Sequence, residues 1–236
     1  MRVLACAIGL MLAGALRAEG PLVQPFGAGP VPAAPWHVVG LPQQRKPITR
    51  FEVVELDGTR ALRVEADDSY GNLVHPVQLE PPRGQLAWRW RIDNFVDAAD
   101  LRARAGDDTT LKVCVLFDEP MASVPFIERQ LLRVARLRSP EWLPAATVCY
   151  VWDPRLAEGT VLPNAYTRRV RFIVLRSGPP LQAWRSERRD VVADVMRLFG
   201  DELREPPPIA GIAIGADADN THGRGLAFVA DLRLEP

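Results

Sequence analysis

Tryptophan and arginine alternate over four residues, Trp88-Arg89-Trp90-Arg91. In a β-strand successive side chains point to opposite faces, so this pattern places two indoles on one face and two guanidinium groups on the other. We interpret the tryptophans as core residues. The arginines either pair with carboxylates on a neighbouring strand or belong to a polar surface that binds an anionic or sugar ligand, because guanidinium groups match carboxylates and vicinal hydroxyls.

Two further segments are rich in side-chain oxygen. Asp107 and Asp108 form the first, and Asp217, Asp219 and Asn220 form the second. Such residues often stabilise turns by bonding to their own backbone. They could also supply several of the six or more oxygens that calcium requires, although the spacing does not match a complete EF-hand loop. A structural calcium is therefore the cofactor that this pattern allows.

Residue types common in sugar-binding sites recur along the chain, since a flat ring stacks on a sugar while polar groups fix its orientation. The predicted ligand-binding residues are Arg89, Arg91, Asp107, Trp152, Asn164, Tyr166, Arg176 and Arg188. The same types also build turns and ion pairs, and Glu187 could bridge to Arg176 or Arg188 for purely structural reasons. The sequence contains no glycine-rich phosphate loop, Gly-x-Ser-x-Gly elbow or His-Glu-x-x-His helix, so catalytic residues stay unassigned.

The elements that must position these residues are mostly strands. Segments 51–56 and 61–66 flank Asp57-Gly58, a pair typical of a type I′ hairpin turn. Further strands are predicted at 73–79, 86–92, 111–117, 147–152, 170–176, 182–187, 209–214 and 226–234. Short strands separated by Pro, Gly, Asp and Asn predict a mostly β chain, a jelly-roll-like antiparallel β-sandwich with two short helices.

The two helices are predicted from apolar residues at helical spacing. The first spans 190–199, with Asp190 as N-cap. The second spans 124–138 and is amphipathic and basic. Its apolar stripe comprises Ile127, Leu131 and Val134, and its arginines outside that stripe are Arg129, Arg133 and Arg136. We interpret it as a helix packed across one edge of the sandwich; a membrane-surface helix and a basic interaction helix are the alternatives.

The first eighteen residues resemble a cleavable signal peptide. Arg2 is followed by an apolar run over 3–16, and Ala18 provides a small residue for cleavage. No later stretch reaches the roughly 20 apolar residues of a membrane span. The predicted organisation is a signal peptide at 1–18, a proline-rich extended lead-in at 19–49 and a single β-sandwich domain at 50–236, in a periplasmic or secreted protein.

Charge and cysteine content narrow the function classes. Without the two arginines of residues 1–18, 27 basic residues remain against 29 acidic ones, a balance that argues against nucleic-acid binding. The cysteines outside that segment are Cys114 and Cys149. They either form a disulfide, as an oxidising compartment permits, or are two buried free thiols. Nothing in the sequence predicts the oligomeric state.

Several motifs in order resemble the DUF3047 family of bacterial domains of unknown function. They include Ala87-Trp88-Arg89-Trp90, Gly106-Asp107-Asp108, Val115-Leu116-Phe117-Asp118, Tyr150-Val151-Trp152, Pro163-Asn164-Ala165-Tyr166-Thr167, Arg176-Ser177-Gly178, Glu187-Arg188-Arg189-Asp190, Ile212-Ala213-Ile214 and Asp217-Ala218-Asp219-Asn220-Thr221. The resemblance runs from about residue 50 to the C-terminus. It implies export and a β-rich domain, and it assigns no activity.

A looser likeness is to carbohydrate-binding jelly-roll modules, in the opening hairpin 51–66 and the closing segment 228–234. In such modules a structural calcium often bridges the first and last strands. That likeness implies Asp231 and the Asp67-Asp68 loop as further ligands beside Asp217, Asp219 and Asn220.

Two functions from different classes follow. The first is non-catalytic binding of a glycan or another small polar ligand in the cell envelope. The alternative is an envelope enzyme of the glycoside hydrolase or lyase type, with Asp107, Asp108 or Glu187 as acid or base, which requires two carboxyl groups about 5–10 Å apart.

Overall fold

The computed structural model describes residues 21–139 and 141–235 of the 236-residue chain. The predicted signal peptide lies outside these described residues. The strands are β1 (His37–Val39), β2 (Arg50–Leu56), β3 (Thr59–Asp67), β4 (Tyr70–Leu79), β5 (Gln85–Asn94), β6 (Thr109–Phe117), β7 (Ala146–Asp153), β8 (Val161–Pro163), β9 (Val170–Ser177), β10 (Arg185–Asp190), β11 (Ile209–Asp217) and β12 (Arg224–Glu235), and the helices are α1 (Phe126–Arg138) and α2 (Val191–Phe199). A 3-10 turn covers Arg104–Gly106. In the described ranges, no helix is long and apolar enough to cross a membrane.

The strands form two sheets that share one core. The seven-stranded sheet has the order β1-β4-β11-β6-β7-β9-β8, and the five-stranded sheet has the order β10-β5-β12-β3-β2. This confirms the mostly β, jelly-roll-like sandwich with two helices. The strand pairs within these sheets are antiparallel apart from β7 and β9, which are parallel. A long connection between them, which includes β8, returns the chain to the end of the sheet where β7 began.

The hairpin of β2 and β3 forms where Asp57-Gly58 predicted it. Leu56 pairs with Thr59, and Asp57 and Gly58 both have positive φ, 52° and 70°. Those are the dihedral signs of a type I′ turn, in which glycine is favoured because it has no Cβ to clash.

Aromatic side chains hold the two sheets together. Trp88 and Trp90 of β5 are fully buried, which confirms their predicted core position. The ring centroid of Trp88 lies 5.3 Å from that of Tyr150 on β7, and that of Trp90 lies 5.9 Å from that of Trp152. Because replacing a buried Trp by Ala commonly costs about 3–5 kcal/mol, this cluster is a major source of stability.

The proline-rich segment before β2 lies against the sandwich. Val23, Phe26 and Trp36 are buried within the main core cluster. The indole Nε1 of Trp36 donates to the Gln24 carbonyl at 2.8 Å. β1 within this segment pairs with β4 and so extends the seven-stranded sheet at its edge.

Helix α2 follows β10 directly. Its predicted N-cap is confirmed, because Asp190 accepts hydrogen bonds from the Val192 and Ala193 amides. The strand predicted at 182–187 begins later, at Arg185. Gln182 has a φ of 59° and donates its amide to the Ile92 carbonyl, so it belongs to the turn before the strand.

Helix α1 is present, but the prediction that its apolar stripe packs on the sandwich is wrong. Ile127, Leu131 and Val134 are exposed. The side that faces the protein includes Leu132, which is buried, and Glu128, whose carboxylate lies 2.6 Å from Nε of the buried Arg169. This ion pair sets the orientation of the helix, because a buried arginine requires carboxylate partners.

Cys114 and Cys149 form a disulfide between β6 and β7, where they are direct cross-strand neighbours. It lies in a second apolar cluster, on the face of the seven-stranded sheet that points away from the five-stranded sheet. The other buried members of this cluster are Leu101, Val151, Phe172, Val174 and Ala213.

We expect loss of the disulfide to destabilise the protein. The bond closes a loop with a sequence separation of 35 residues. Cross-linking a loop of that length lowers the conformational entropy of the unfolded chain, which raises the free energy of unfolding by about 4 kcal/mol. The Cys114→Ala/Cys149→Ala variant should therefore unfold at lower guanidinium concentration than the oxidised wild type. As a control, reductant should lower the wild-type midpoint and leave the variant unchanged; equal midpoints for all samples would contradict the prediction.

Candidate functional site

A row of polar side chains crosses the outer face of the seven-stranded sheet. The register places Asn72 of β4 beside Gly215 of β11, and Gly215 beside Lys112 of β6. A Cβ on Gly215 would overlap the Asn72 amide oxygen and lie 2.8 Å from Cε of Lys112. The glycine therefore leaves space in which the Asn72 and Lys112 side chains lie over the middle strand.

A buried ion pair occupies the end of this row. Lys112 Nζ lies 2.7 Å from Oδ2 of Asp217, and both residues are largely buried. The other carboxylate oxygen of Asp217 accepts from the backbone amide of Thr109 at 2.8 Å and from its hydroxyl. Burial lowers the pKa of Lys112, but the charge of Asp217, its hydrogen bond and the neighbouring Tyr70 and Asp107 together outweigh burial, and the net pKa is raised. Lys112 therefore stays protonated.

Asp107 lies beside this ion pair, in the loop that leads into β6. Its Oδ2 accepts from Nδ2 of Asn164 at 2.5 Å. Asn164 is itself held in a turn, because its Oδ1 accepts from the backbone amides of Tyr166 and Thr167. Burial and the negative charge of Asp217 raise the pKa of Asp107 to about 6. The carboxyl group therefore changes its protonation near neutral pH.

Two carboxyl oxygens at this place are left without a partner. Oδ1 of Asp107 and Oδ1 of Asp219 are buried and accept no hydrogen bond from any described residue. Burial, Asp217 and Asp108 raise the pKa of Asp219. A buried acceptor without a donor is costly, so both oxygens keep an unused capacity to accept a hydrogen bond. We call Asp107, Lys112, Asn164, Asp217 and Asp219 the Asp107 cluster.

Both carboxylate oxygens of Asp108, by contrast, accept hydrogen bonds from within the protein. Its two oxygens accept from the backbone amide and side-chain amide of Asn220 and from the backbone amide and hydroxyl of Thr221. These four bonds join the loop before β6 to the loop after β11. Asp108 thus positions the loops that carry Asp107 and Asp219.

An exposed aromatic ring stands at the rim of the cluster. Tyr166 is 57% exposed, and its hydroxyl lies 3.0 Å from Oδ1 of Asn220. The guanidinium carbon of Arg104 lies 5.3 Å from the centroid of the Tyr166 ring. The ring is thus held at its hydroxyl and covered on one face by Arg104, which leaves the other face as a flat contact surface for a ligand.

The structure brings together Asp107, Asn164 and Tyr166 of the predicted ligand-binding residues. Trp152 lies in the core, where its Nε1 donates to the Gly178 carbonyl at 2.8 Å. It is therefore not available to a ligand, because its inward-pointing position on β7 makes it part of the contact between the sheets.

Each of the four predicted arginines has a carboxylate partner. Arg89, Arg91 and Arg188 lie on the five-stranded sheet, and Arg176 lies on β9 of the seven-stranded sheet. Arg89 lies 2.5 Å from Asp231, and Arg91 lies 2.7 Å from Asp57 and 2.6 Å from Asp93. Arg176 lies 2.7 Å from Glu187, and Arg188 lies 2.7 Å from Glu235. These residues therefore do not join the Asp107 cluster, and Glu187 is held by Arg176 and by Nε1 of Trp90.

The residues named for calcium are also separated. Asp231 belongs to the five-stranded sheet, where it pairs with Arg89, whereas Asp217, Asp219 and Asn220 lie at the end of β11. Asp67 and Asp68 bind Arg224 and Lys46. Among the described residues, no three His, Cys, Asp or Glu side chains are grouped as metal ligands. Calcium binding stays a prediction that these positions do not favour.

Lys112 is the residue of the cluster that sequence reasoning missed. Its signal was present, since it is the single charged residue in the β6 sequence Thr-Thr-Leu-Lys-Val-Cys-Val-Leu-Phe. A lone lysine within an apolar strand requires a carboxylate partner if the strand is buried on both faces.

Comparison with known proteins places the chain in a family but gives no activity. The pattern of a family described as "Protein of unknown function (DUF3047)" matches residues 34–233. No curated protein matches the chain.

Several solved structures are distantly similar. The structure of TmCBM61 in complex with beta-1,4-galactotriose is 11% identical, covers 85% of this chain and 88% of that chain, and has a TM-score of 0.34. The cleaved adhesin domain of Lys-gingipain from Porphyromonas gingivalis is 11% identical, with coverage of 92% and 98% and a TM-score of 0.41. The endo-1,4-beta-glucanase CelB2 is 13% identical, with coverage of 79% and 87% and a TM-score of 0.39. The ligand and the activities in these names are those of the other proteins.

We expect Asp107→Asn to stabilise the protein at pH 8. The pKa of Asp107 is raised to about 6 in the folded state, so protonation stabilises the fold at low pH, and this stabilisation is lost as pH rises from about 4 through about 6. The shift corresponds to about 3 kcal/mol. In urea denaturation, the variant should gain about 1–3 kcal/mol over the wild type at pH 8 and nothing at pH 4.

Asp108→Asn is the matched control. The carboxylate of Asp108 accepts four hydrogen bonds, two at each oxygen. In the variant the NH2 group of the amide would face two of the four donors, so the free energy of unfolding should fall by about 1–3 kcal/mol at pH 8. Burial raises the pKa of Glu119 to about 7, so Glu119 also makes stability depend on pH. Because Glu119 is unchanged in both variants, its contribution cancels when each variant is compared with the wild type. A wild-type minus Asp107→Asn difference that does not vary with pH would contradict the prediction.

Proposed function

The chain belongs to the family described as Protein of unknown function (DUF3047), and we propose that it is a non-catalytic binding protein for a glycan or another small polar ligand. The observation that carries this proposal is the buried Oδ1 of Asp107, which has no partner among the described residues although Oδ2 of the same group is bonded to Asn164. This oxygen has an unused capacity to accept a hydrogen bond, which a ligand hydroxyl would fill by displacing the side chains that cover it.

The charge of the cluster indicates the class of ligand. The loops and strand ends at the site carry four carboxyl groups, Asp107, Asp108, Asp217 and Asp219, and one ammonium group, Lys112. Acceptors are therefore in excess and an anion would be repelled. A neutral molecule rich in hydroxyl groups supplies the missing donors without bringing in negative charge. The exposed ring of Tyr166 at the rim adds a surface on which a sugar ring could stack.

We also propose that the protein works in the cell envelope. Residues 1–18 have the composition of a signal peptide, and the disulfide between Cys114 and Cys149 supports an oxidising compartment. A ligand present there would be a cell-envelope or environmental saccharide.

Calorimetric titration tests the binding proposal. The full chain should bind at least one member of a panel of soluble gluco-, galacto- and chito-oligosaccharides and peptidoglycan fragments. Asn164→Ala and Tyr166→Ala should each weaken that binding about tenfold, because one releases Asp107 and the other removes the stacking surface. Arg89→Ala, on the other sheet, should leave the affinity unchanged. The proposal fails if no saccharide of the panel binds, or if Arg89→Ala weakens binding as much as Asn164→Ala does.

Affinity should also depend on pH in a defined direction. Ligand hydroxyls that donate to Oδ1 favour the ionised form of Asp107 and lower its pKa on binding. Affinity should therefore increase as pH rises from 5 to 7.5, through the pKa of about 6, and binding at pH 6 should release protons. Titrations at pH 6 in buffers of different ionisation enthalpy measure that release. An affinity that falls with pH would show that the ligand does not bind the carboxylate.

One observation favours a polysaccharide-acting enzyme as the second candidate. Asp107 and Asp219 both have raised pKa values, and a carboxyl group that titrates near neutral pH is suited to act as a general acid. The same panel separates the two functions: an enzyme forms new reducing ends or unsaturated products, and Asp107→Asn abolishes them. Binding without any product supports the first proposal.

A further inference from the structure

Helix α1 presents its apolar side to solvent. Five of its large apolar side chains are strongly exposed: Phe126 68%, Ile127 73%, Leu131 66%, Val134 47% and Leu137 86%. At 3.6 residues per turn these positions cover one side of the helix. An apolar stripe of a soluble domain normally faces the core, so this side of α1 is an interaction surface.

Interior contacts fix this orientation. Leu132 packs in a small buried cluster with Val124 and Ala145. Glu128 lies 2.6 Å from the buried Arg169, and Arg136 donates through Nε to the Leu143 carbonyl at 2.8 Å. Rotation of the helix to bury its apolar stripe would break these contacts and leave Arg169 with one carboxylate fewer. The exposed stripe is thus a stable property of the fold.

The polar residues beside the stripe are basic and lack acidic partners. No carboxylate of the described residues lies within ion-pair distance of the α1 arginines, which are Arg129, Arg133, Arg136 and Arg138. The one acidic residue of the helix, Glu128, faces inward. The half-exposed Trp142 extends the surface just beyond the helix, with Arg136 over its ring at 5.5 Å.

We propose that α1 docks the protein onto the surface of a bilayer that contains anionic phospholipid. The helix would lie in the plane of the interface, its apolar side chains entering the boundary of the acyl chains and its exposed Arg133 and Arg138 binding lipid phosphates. With 13 residues, about 20 Å, it lies on a membrane and does not span it. Tryptophan at the edge is typical of the headgroup region.

The same charges disfavour a second copy of the chain as the occupant. In a two-fold symmetric contact each surface meets its own copy, so the arginines of one helix would face those of the other without an acidic residue between them.

Docking would leave the Asp107 cluster free. Asp107 lies before the first residue of β6 and α1 follows its last, and the loop that carries Asn164 meets α1 on its inward side, where Arg168 and Arg169 pair with Glu128. Membrane docking and the proposed ligand binding can therefore be tested independently.

Co-sedimentation with vesicles tests the proposal. The full chain should bind vesicles of phosphatidylcholine with about one third phosphatidylglycerol at least tenfold more tightly than pure phosphatidylcholine vesicles, and high salt should weaken binding. Ile127→Gln/Leu131→Gln and Arg133→Glu/Arg138→Glu should each reduce binding at least about tenfold. All four residues are exposed or at the helix surface, so the fold is kept; circular dichroism checks this.

Matched controls separate α1 from the rest of the surface. Val31→Gln replaces an apolar residue that is 74% exposed elsewhere, and Arg45→Glu reverses an exposed charge outside the helix; both should bind like the wild type. Because residues 1–18 are common to all proteins, any binding by that segment cancels in the comparison. Equal binding by wild type and the α1 variants overturns the proposal. So does self-association in ultracentrifugation that the α1 variants abolish while vesicles remain unbound.

Discussion

Lys112 and Asp217 form a buried ion pair, with 2.7 Å between the ammonium nitrogen and the carboxylate. This pair constrains the pairing of the strands that carry it and the ionisation of the neighbouring carboxyl groups. Two buried charges are tolerated only if each keeps its partner, so β6 and β11 must hold their register at this point. The fixed negative charge of Asp217 then acts on its neighbours. Together with burial it raises the pKa values of Asp107 and Asp219, whose carboxyl groups would otherwise be ordinary acids. Burial is the larger cause of these raised pKa values and the charge of Asp217 the second, while Lys112 opposes both.

Period-two alternation explains why much of the sandwich was predictable. In Trp88-Arg89-Trp90-Arg91 the indoles fill the core and the arginines pair with carboxylates, as the alternation implies. Asp57-Gly58 specified its turn for an equally local reason, because the turn requires positive φ at both residues. Such features depend on residues close in sequence. They can be read without knowing which strands become neighbours.

The site and the direction of α1 depend on distant residues. Asp107 was recognised as a polar loop residue, but its importance comes from Asp217, which lies more than one hundred residues away and reaches it only when β11 pairs with β6. The apolar stripe of Ile127, Leu131 and Val134 correctly predicted a helix, but the stripe faces solvent and not the sandwich. Apolar periodicity identifies one side of a helix, whereas the side that faces inward is decided here by the partner that Arg169 requires.

Strand β6 carries Lys112, is joined by a disulfide to β7, and leads into the segment that contains α1. Lys112 lies near one end of β6, the disulfide from Cys114 lies next along the same face, and the segment that carries α1 leaves from the other end. The covalent bond fixes β6 against β7, and the pairing of β6 with β11 places Lys112 beside Asp217, although that ion pair alone adds little net stability. A buried carboxyl group such as Asp107, which destabilises the fold at neutral pH, can be retained in a sheet that is cross-linked in this way. The cross-link and the perturbed carboxyl group therefore act on the free energy of unfolding with opposite signs: the disulfide raises it, and the ionised Asp107 lowers it.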